Sequence, residues 1–468
     1  MKPFTICCTL LVLCLAQAAD TPFVIEPYIQ MGDAPQLSSS DSMVVMWHAA
    51  DADEQWDVQA KKPAGKKWSA PIPAASTRVD VRGIEPHRVF RAQLKNLEPG
   101  EEFDYRVRRA EKSVFQARAR ARKTKDQPYR VAIFGDCAAG TPEERAVAYQ
   151  VYRAKPDFVF IPGDIVYSKG LISEYRTKYF PVYNADTASP ETGAPLIRST
   201  LFMAAPGNHD VARPNLTLTP DALAYFMYWS QPLNGPLSRI GDPSTPVFVA
   251  TDEEKSAFLA AAPLSYPRMA NFSFDYGNAH WTVLDSNPNV DWSDAALRDW
   301  VAKDIASAKS ATWHFVGFHH PGFNSSKHHD IDQWMRRMSD VFEAAGVDIV
   351  FAGHVHNYQR SFPLRFQSKP EPGSTKNLAA GEWTLDKKFD GATRTKPDGV
   401  IYLVTGAGGA RLYDPEQQDD PASWLSFTDK FISTVNSFTE VDASGGTLTI
   451  RQISKDGQEL DHFVVTKK

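Results

Sequence analysis

Ile161-Pro162-Gly163-Asp164-Ile165-Val166-Tyr167 closes an apolar run that begins at Phe158. Such a run, ended by a Pro-Gly turn and an acid, reads as a buried strand with a polar tip. The same pattern recurs outward from it. Residues 130–134 lead into Gly135-Asp136. Ala205-Pro206-Gly207-Asn208-His209-Asp210 follows another apolar run. Gly317-Phe318-His319-His320-Pro321 ends a strand that starts at Trp313, and Ala352-Gly353-His354-Val355-His356 ends one that starts at Val347. Helical spacing falls between and beside these strands, over residues 142–153, 172–180, 293–307 and 331–345. A hairpin over 272–284 turns at Gly277-Asn278, and later strands are expected at 401–404, 447–451 and 461–466. The stretch 185–259 is Pro-rich and reads as loops with one helix at 221–229. Strand–helix alternation of this kind predicts an α/β layer with added antiparallel strands. In an open α/β sheet, groups beyond the carboxyl ends of the strands converge in one crevice.

The side chains brought to that crevice are Asp136, Asp164, Asn208, His209, His319, His320, His354 and His356. Of the 12 His residues, nine lie between His209 and His356. A carboxylate can bridge two cations. Imidazoles suit zinc or iron, while carboxylate or phenolate oxygen favours iron in its higher charge state. Two ions roughly 3.5–4 Å apart can clamp a phosphate and generate hydroxide at neutral pH. A metal-held hydroxide attacking phosphorus directly needs no side-chain nucleophile. His209 is placed to protonate the leaving group or hold an equatorial oxygen, with Asp210 orienting its ring. His320, His328 and His329 are candidates for the same rim. Arg360 reads as a phosphate contact or an ion pair. Cys137 reads as pointing away from the site. Asp285 and Ser286 read as a plain turn or as support for a ligand histidine. Phosphate monoester hydrolysis is the expected activity. Two alternatives stay open: a phosphodiesterase or nucleotide pyrophosphatase on the same centre, and a non-catalytic secreted surface-binding module.

The chain has 468 residues, with 51 Lys plus Arg against 56 Asp plus Glu and a formal charge of −5. A hydrophobic fraction of 43% excludes bulk disorder. The slight acidity argues against a general nucleic-acid binder. A small phosphorylated substrate is the expected partner, with no stable nucleic acid and no membrane anchor; composition leaves the oligomeric state open. Residues 1–18 have the charged, apolar, small-x-small order of a secretory signal. A secreted or periplasmic location follows. Cys7, Cys8 and Cys14 fall inside that signal, so Cys137 alone would remain and no internal disulfide is expected.

Residues 22–125 have a different grain. Short strands at 42–47, 89–94, 103–107 and 114–120, with a turn at Leu97-Glu98-Pro99-Gly100, predict a β-sandwich. His48 and His87 form no ligand cluster there, and the region reads as a scaffold or recognition module. The polar segment 122–128, closed by Pro128, is the expected boundary, with a catalytic domain over 129–468.

The motifs together resemble the calcineurin-like metallophosphoesterases and, within them, the purple acid phosphatases. The resemblance rests on Asp136, Gly163-Asp164-Ile165-Val166-Tyr167, Gly207-Asn208-His209-Asp210, His319-His320-Pro321 and Gly353-His354-Val355-His356. Cys137-Ala138 stands where the family has x-Gly, and the loop between Asp210 and Phe272 is long. The resemblance implies an α/β, four-layer β-sandwich flanked by helices, preceded by a fibronectin type III-like all-β domain. It implies two metal ions, Fe(III) plus a divalent Fe, Zn or Mn. Asp136, Tyr167 and His356 would hold the ferric ion. Asn208, His319 and His354 would hold the divalent one, and Asp164 would bridge.

Overall fold

A computed structural model of the chain describes residues 21–236, 239, 241–369 and 377–467. The expected signal at 1–18 lies outside the described residues, as do Cys7, Cys8 and Cys14. Cys137 is buried and free. No described helix is long and apolar enough to cross a membrane.

The N-terminal part is all β. One four-stranded sheet runs in the order Ile25–Gln30, Asp41–Ala50, His87–Leu97, Ala75–Val79. The other runs Ile72–Pro73, Trp56–Lys61, Glu102–Arg109, Lys112–Arg120. Each strand expected here lies within an observed one. Aromatic side chains fill the space between the sheets, as inward-facing strand positions do in a sandwich. Trp47 stacks on Phe90 with ring centroids 5.4 Å apart and planes 4° apart, and meets Trp56 at 5.7 Å. His48 and His87 are buried and tie this part to a later segment. The Tyr28 hydroxyl lies 3.0 Å from His48 Nε2 and donates to the Tyr228 carbonyl, and the Tyr228 hydroxyl lies 2.9 Å from His87 Nε2.

Two larger sheets follow. A six-stranded sheet has the order Leu201–Ala205, Phe158–Pro162, Tyr129–Ile133, Ser437–Ser444, Thr447–Ser454, Glu459–Thr466. Its first three strands are parallel. A seven-stranded sheet has the order Phe272–Tyr276, Ala279–Val283, Trp313–Phe318, Ile349–Ala352, Ile401–Thr405, Tyr358–Ser361, Thr428–Ile432. Every residue of Phe158–Pro162 and Leu201–Ala205 is buried, because both faces of a parallel sheet are covered. The sheets pack face to face on an aromatic layer that includes Phe158, Phe160, Trp281, Phe315 and Phe351. Gly317 permits the approach: a Cβ there would come within 2.3 Å of the Phe160 ring. Helix Pro142–Ala154 covers the outer face of the six-stranded sheet through Val147, Ala148 and Val151. Helices Ala295–Ser307 and Ser339–Ala345 cover the other outer face through Leu297, Val301, Ile305 and Phe342. The result is a four-layer arrangement of helices, sheet, sheet, helices.

Local sequence chemistry sets the helix ends. The Thr141 hydroxyl accepts from the Glu144 N–H at 3.1 Å, and Pro142 occupies the first turn, where its missing N–H matters least. Three expectations need correction. The stretch 185–259 is not loops with one helix: it holds the strand Leu201–Ala205 and the start of helix Asp252–Ala261 beside helix Ala224–Tyr228. The helix expected over 331–345 is a 3-10 turn, Trp334–Met338, followed by helix Ser339–Ala345. Residues 330–333 are taken out of the helix by contacts with the site, described below. The strand Ser437–Ser444 was not expected, because Thr439 and Glu440 interrupt its apolar pattern. Thr439 is buried with its hydroxyl donating to Gln452 Oε1 at 2.7 Å, which removes the objection.

Candidate metal centre

Five strand ends meet at the carboxyl edge of the two sheets. Asp136 lies three residues beyond Tyr129–Ile133, and Asp164 two beyond Phe158–Pro162. Asn208 opens a short helical turn, Asn208–Val211, after Leu201–Ala205. His319 directly follows Trp313–Phe318, and His354 and His356 follow Ile349–Ala352. Asp136, Asp164 and His354 have φ of 58°, 50° and 68°. Left-handed backbone at a non-glycine residue is uncommon and persists where surrounding structure holds it. Gly207 is required beside Asp164, since a Cβ there would lie 2.2 Å from the Asp164 amide nitrogen.

The donor atoms form two clusters. In the first, the Tyr167 hydroxyl is 2.9 Å from Asp136 Oδ1 and 2.9 Å from His356 Nε2, and His356 Nε2 is 3.4 Å from Asp136 Oδ1. In the second, Asn208 Oδ1 is 3.0 Å from both His319 Nε2 and His354 Nδ1. Asp164 Oδ1 adjoins the second cluster at 3.3 Å from His319 Nε2. Asp136 and Asp164 are fully buried. Burial alone would lower the His319 pKa, but the facing Asp164 carboxylate outweighs it and raises it to about 9. Burial, and then the charges of Asp136 and Asp164, hold the Tyr167 phenol well above its usual range.

Other groups fix these donors. The far ring nitrogen of His319 donates to the Pro162 carbonyl at 2.9 Å, and that of His356 to the Arg411 carbonyl at 2.7 Å. That leaves the opposite nitrogen of each ring to face the cluster. The Ser286 hydroxyl accepts from the His319 and His320 amides at 3.1 and 2.8 Å and lies 3.0 Å from His320 Nδ1. The supporting role considered for Ser286 therefore has a geometry. Asp285 bonds the Asn287 amide instead.

The rim residues separate. His209 Nδ1 donates to the Ser168 carbonyl at 2.6 Å, and its Nε2 lies 3.8 Å from Asp164 Oδ2. Asp210 does not orient that ring: its carboxylate accepts from the Ile165 and Gly207 amides at 3.1 and 2.8 Å, bracing the two ligand loops. Burial, and then Asp164, push Asp210 up to about 7. His320 is buried against His354, with centroids 4.3 Å apart, and burial holds it well below its usual value. His328 is exposed and stacks on Tyr413 at 4.2 Å. His329 is nearer the centre, its ring 4.0 Å from that of His354. Arg360 is an ion pair and not a phosphate contact, since Asp461 and Asp429 take its guanidinium at 2.8 and 2.6 Å. Cys137 points away, with Sγ 3.4 Å from the Ile165 carbonyl. Asp332, Ser168 and Tyr413 were not singled out in the sequence. Asp332 follows His329 by three residues, and that spacing was its one signal.

Whether these residues suit cations can be read from their spacing. Ligands about 2.0–2.2 Å from a common ion stand about 3 Å apart, as the atoms of both clusters do. Buried carboxylates also call for partners of opposite charge. The donor set fits two cations, and Asp164 lies within 4.8 Å of a donor in each cluster, Asp136 and His319.

Comparison with known proteins gives the family. Residues 129–358 match the family model for calcineurin-like phosphoesterase, and residues 34–122 that for the purple acid phosphatase N-terminal domain. The chain is similar to purple acid phosphatase 23 of Arabidopsis thaliana, 25% identical over 327 residues, covering 65% of this chain and 58% of that relative. It is similar to probable inactive purple acid phosphatase 1 of the same plant, 23% identical over 413 residues, covering 82% of this chain and 58% of that one. The match thus spans less than two thirds of either relative. In fold it is similar to purple acid phosphatase PPD1 from yellow lupin (Lupinus luteus) seeds, with a TM-score of 0.66 at 18% identity over 94% of this chain and 74% of that one. The two matched segments make up more than half of the sequence, and the chain belongs to the calcineurin-like phosphoesterases, in their purple acid phosphatase branch.

Proposed function

We propose that the chain is a binuclear-metal hydrolase of phosphate monoesters. The observation that carries this reading is the pair of donor clusters, with buried Asp164 within 4.8 Å of both Asp136 and His319. The fold family implies a binuclear metal site. On this reading Asp136, Tyr167 and His356 hold Fe(III), and Asn208, His319 and His354 hold a divalent Fe, Zn or Mn. Bound cations supply charge neutralisation for the phosphate oxygens and a water nucleophile at neutral pH. The chain's own residues do the rest. Ser168 holds His209 with Nδ1 protonated, so Nε2 is the nitrogen turned toward substrate. A cavity of about 250 Å³ beside Asn208 and His209, lined also by Val211 and Leu218, leaves room for a leaving group. Residues 22–125 act as scaffold, residues 129–468 as the catalytic unit, and the protein works outside the cytoplasm on a small phosphorylated substrate.

The test combines metal analysis, the visible spectrum and hydrolysis of an aryl monophosphate beside a bis-aryl phosphate. Two ions per chain, a phenolate-to-iron band and faster monoester hydrolysis are expected. Tyr167→Phe should abolish the band while retaining part of the hydrolysis. Faster diester hydrolysis would move the reading to a phosphodiesterase. A fully loaded protein inert toward both substrates would end the enzymatic reading.

A further inference from the structure

Asp332 lies outside both donor clusters, yet one of its oxygens serves both the cluster and the rim. Asp332 Oδ2 is 2.9 Å from His329 Nδ1 and 3.2 Å from His354 Nε2. A carboxylate only accepts, so both nitrogens that face it carry hydrogen. That fixes two tautomers. His354 keeps its lone pair on Nδ1, the atom 3.0 Å from Asn208 Oδ1. His329 is left with Nε2 as its free nitrogen. The Asp332 segment is anchored on both sides. The Asp332 amide donates to the His329 carbonyl at 3.2 Å, the Gln333 amide to Asn377 at 2.9 Å, and the Trp334 indole to Ser286 at 2.9 Å. These are the contacts that keep residues 330–333 out of the expected helix.

We infer that Asp332 is a positioning residue whose single oxygen sets the metal-facing tautomer of His354 and holds His329 beside the same ion. Loading of the Asn208–His319–His354 position and placement of the rim imidazole therefore depend on one carboxylate. The inference rests on the two-ion reading above. It separates the two positions, because the Asp332 carboxylate is bonded to His329 and His354, on the side of the Asn208–His319–His354 position.

The experiment is a chelator-buffered metal titration of full-length wild type, Asp332→Ala and Asp332→Asn, with the visible spectrum and melting temperature recorded on each. Loss of a carboxylate behind a ligating histidine lowers metal affinity roughly 10–100-fold. That loss is expected for the second ion in Asp332→Ala, with the phenolate band unchanged. Asp332→Asn keeps the shape and one acceptor, so a smaller loss is expected, and it remains informative if the alanine variant does not fold. Unchanged second-ion affinity in a folded variant overturns the inference. So does a third ion per wild-type chain that disappears in the variant, since Asp332 would then be a ligand itself. Slow-leaving-group hydrolysis gives a second readout. His329→Ala should cost far less in the Asp332→Ala background than in wild type, because coupled residues are not additive; equal costs in both backgrounds count against the coupling. A wild type that binds no metal fails the earlier reading instead.

Discussion

The two central sheets bring different chemistry to the same seam. The ends of the six-stranded sheet supply oxygen: Asp136, Asp164, Tyr167 and Asn208. The ends of the seven-stranded sheet supply nitrogen: His319, His354 and His356. Each donor cluster draws on both sheets. The carboxylates carry negative charge suited to cations, while the imidazoles would complete the coordination and grade its softness. Neither sheet alone has a metal site. Between the sheets the Thr405 hydroxyl donates to the Ile133 carbonyl at 3.0 Å, and the ions would add a second fastening at the carboxyl edge.

Breaking that division should show at its strongest in Asp164, the oxygen donor placed between the clusters. Asp164→Asn is expected to empty both positions and lower kcat/KM roughly 10³-fold or more. Metal analysis and steady-state rates check it; two ions retained would remove Asp164 from its bridging place. The nitrogen side should respond more narrowly. His319→Ala is expected to lose one ion of two and to lower hydrolysis on the order of 10²-fold, with the phenolate band intact. Loss of both ions would mean that the clusters are not separable.

The smallest effect lies at the opposite end of the seven-stranded sheet, where another histidine has a purely structural setting. His280 is clasped by Asp275 at 2.7 Å and Asp304 at 3.1 Å. Burial opposes its protonation, but the two carboxylates prevail and raise it from 6.5 to about 9. A raised pKa means stability fully present below pH 6.5 and lost as pH climbs through 9. Relative to His280→Gln, wild type should lose about 2–3 kcal/mol of its advantage between pH 6 and pH 10. Denaturant melts at the two pH values measure this, and a pH-independent gap would refute it. The same residue type thus does separate work at the two ends of one sheet.

This contrast explains what the sequence made legible. Asp136, Asp164, Asn208, His319 and His354 stand where an apolar run stops, and strand ends of a parallel sheet share one edge. Neighbourhood along the chain failed where direction mattered. Asp210 and Arg360 adjoin motif residues but turn to backbone amides and to Asp461. Asp332 and Ser168 act from loops, and Ser286 from a strand-end turn; their reach depends on tertiary placement that no periodicity encodes. The helix expected over 331–345 was overruled by the same placement.

The Tyr28–His48 and Tyr228–His87 pairs carry a practical corollary. Arg91 adds a third tie by donating to the Met227 carbonyl at 2.9 Å. The helix they grip, Ala224–Tyr228, belongs to the long insertion that begins just past Asn208. Cutting the chain at residue 126 would strip that helix of its clamps and strand the Tyr228 hydroxyl without its acceptor. A shortened form would be expected to express poorly even with every donor residue intact, so residues 22–125 are better regarded as a buttress than as an ornament.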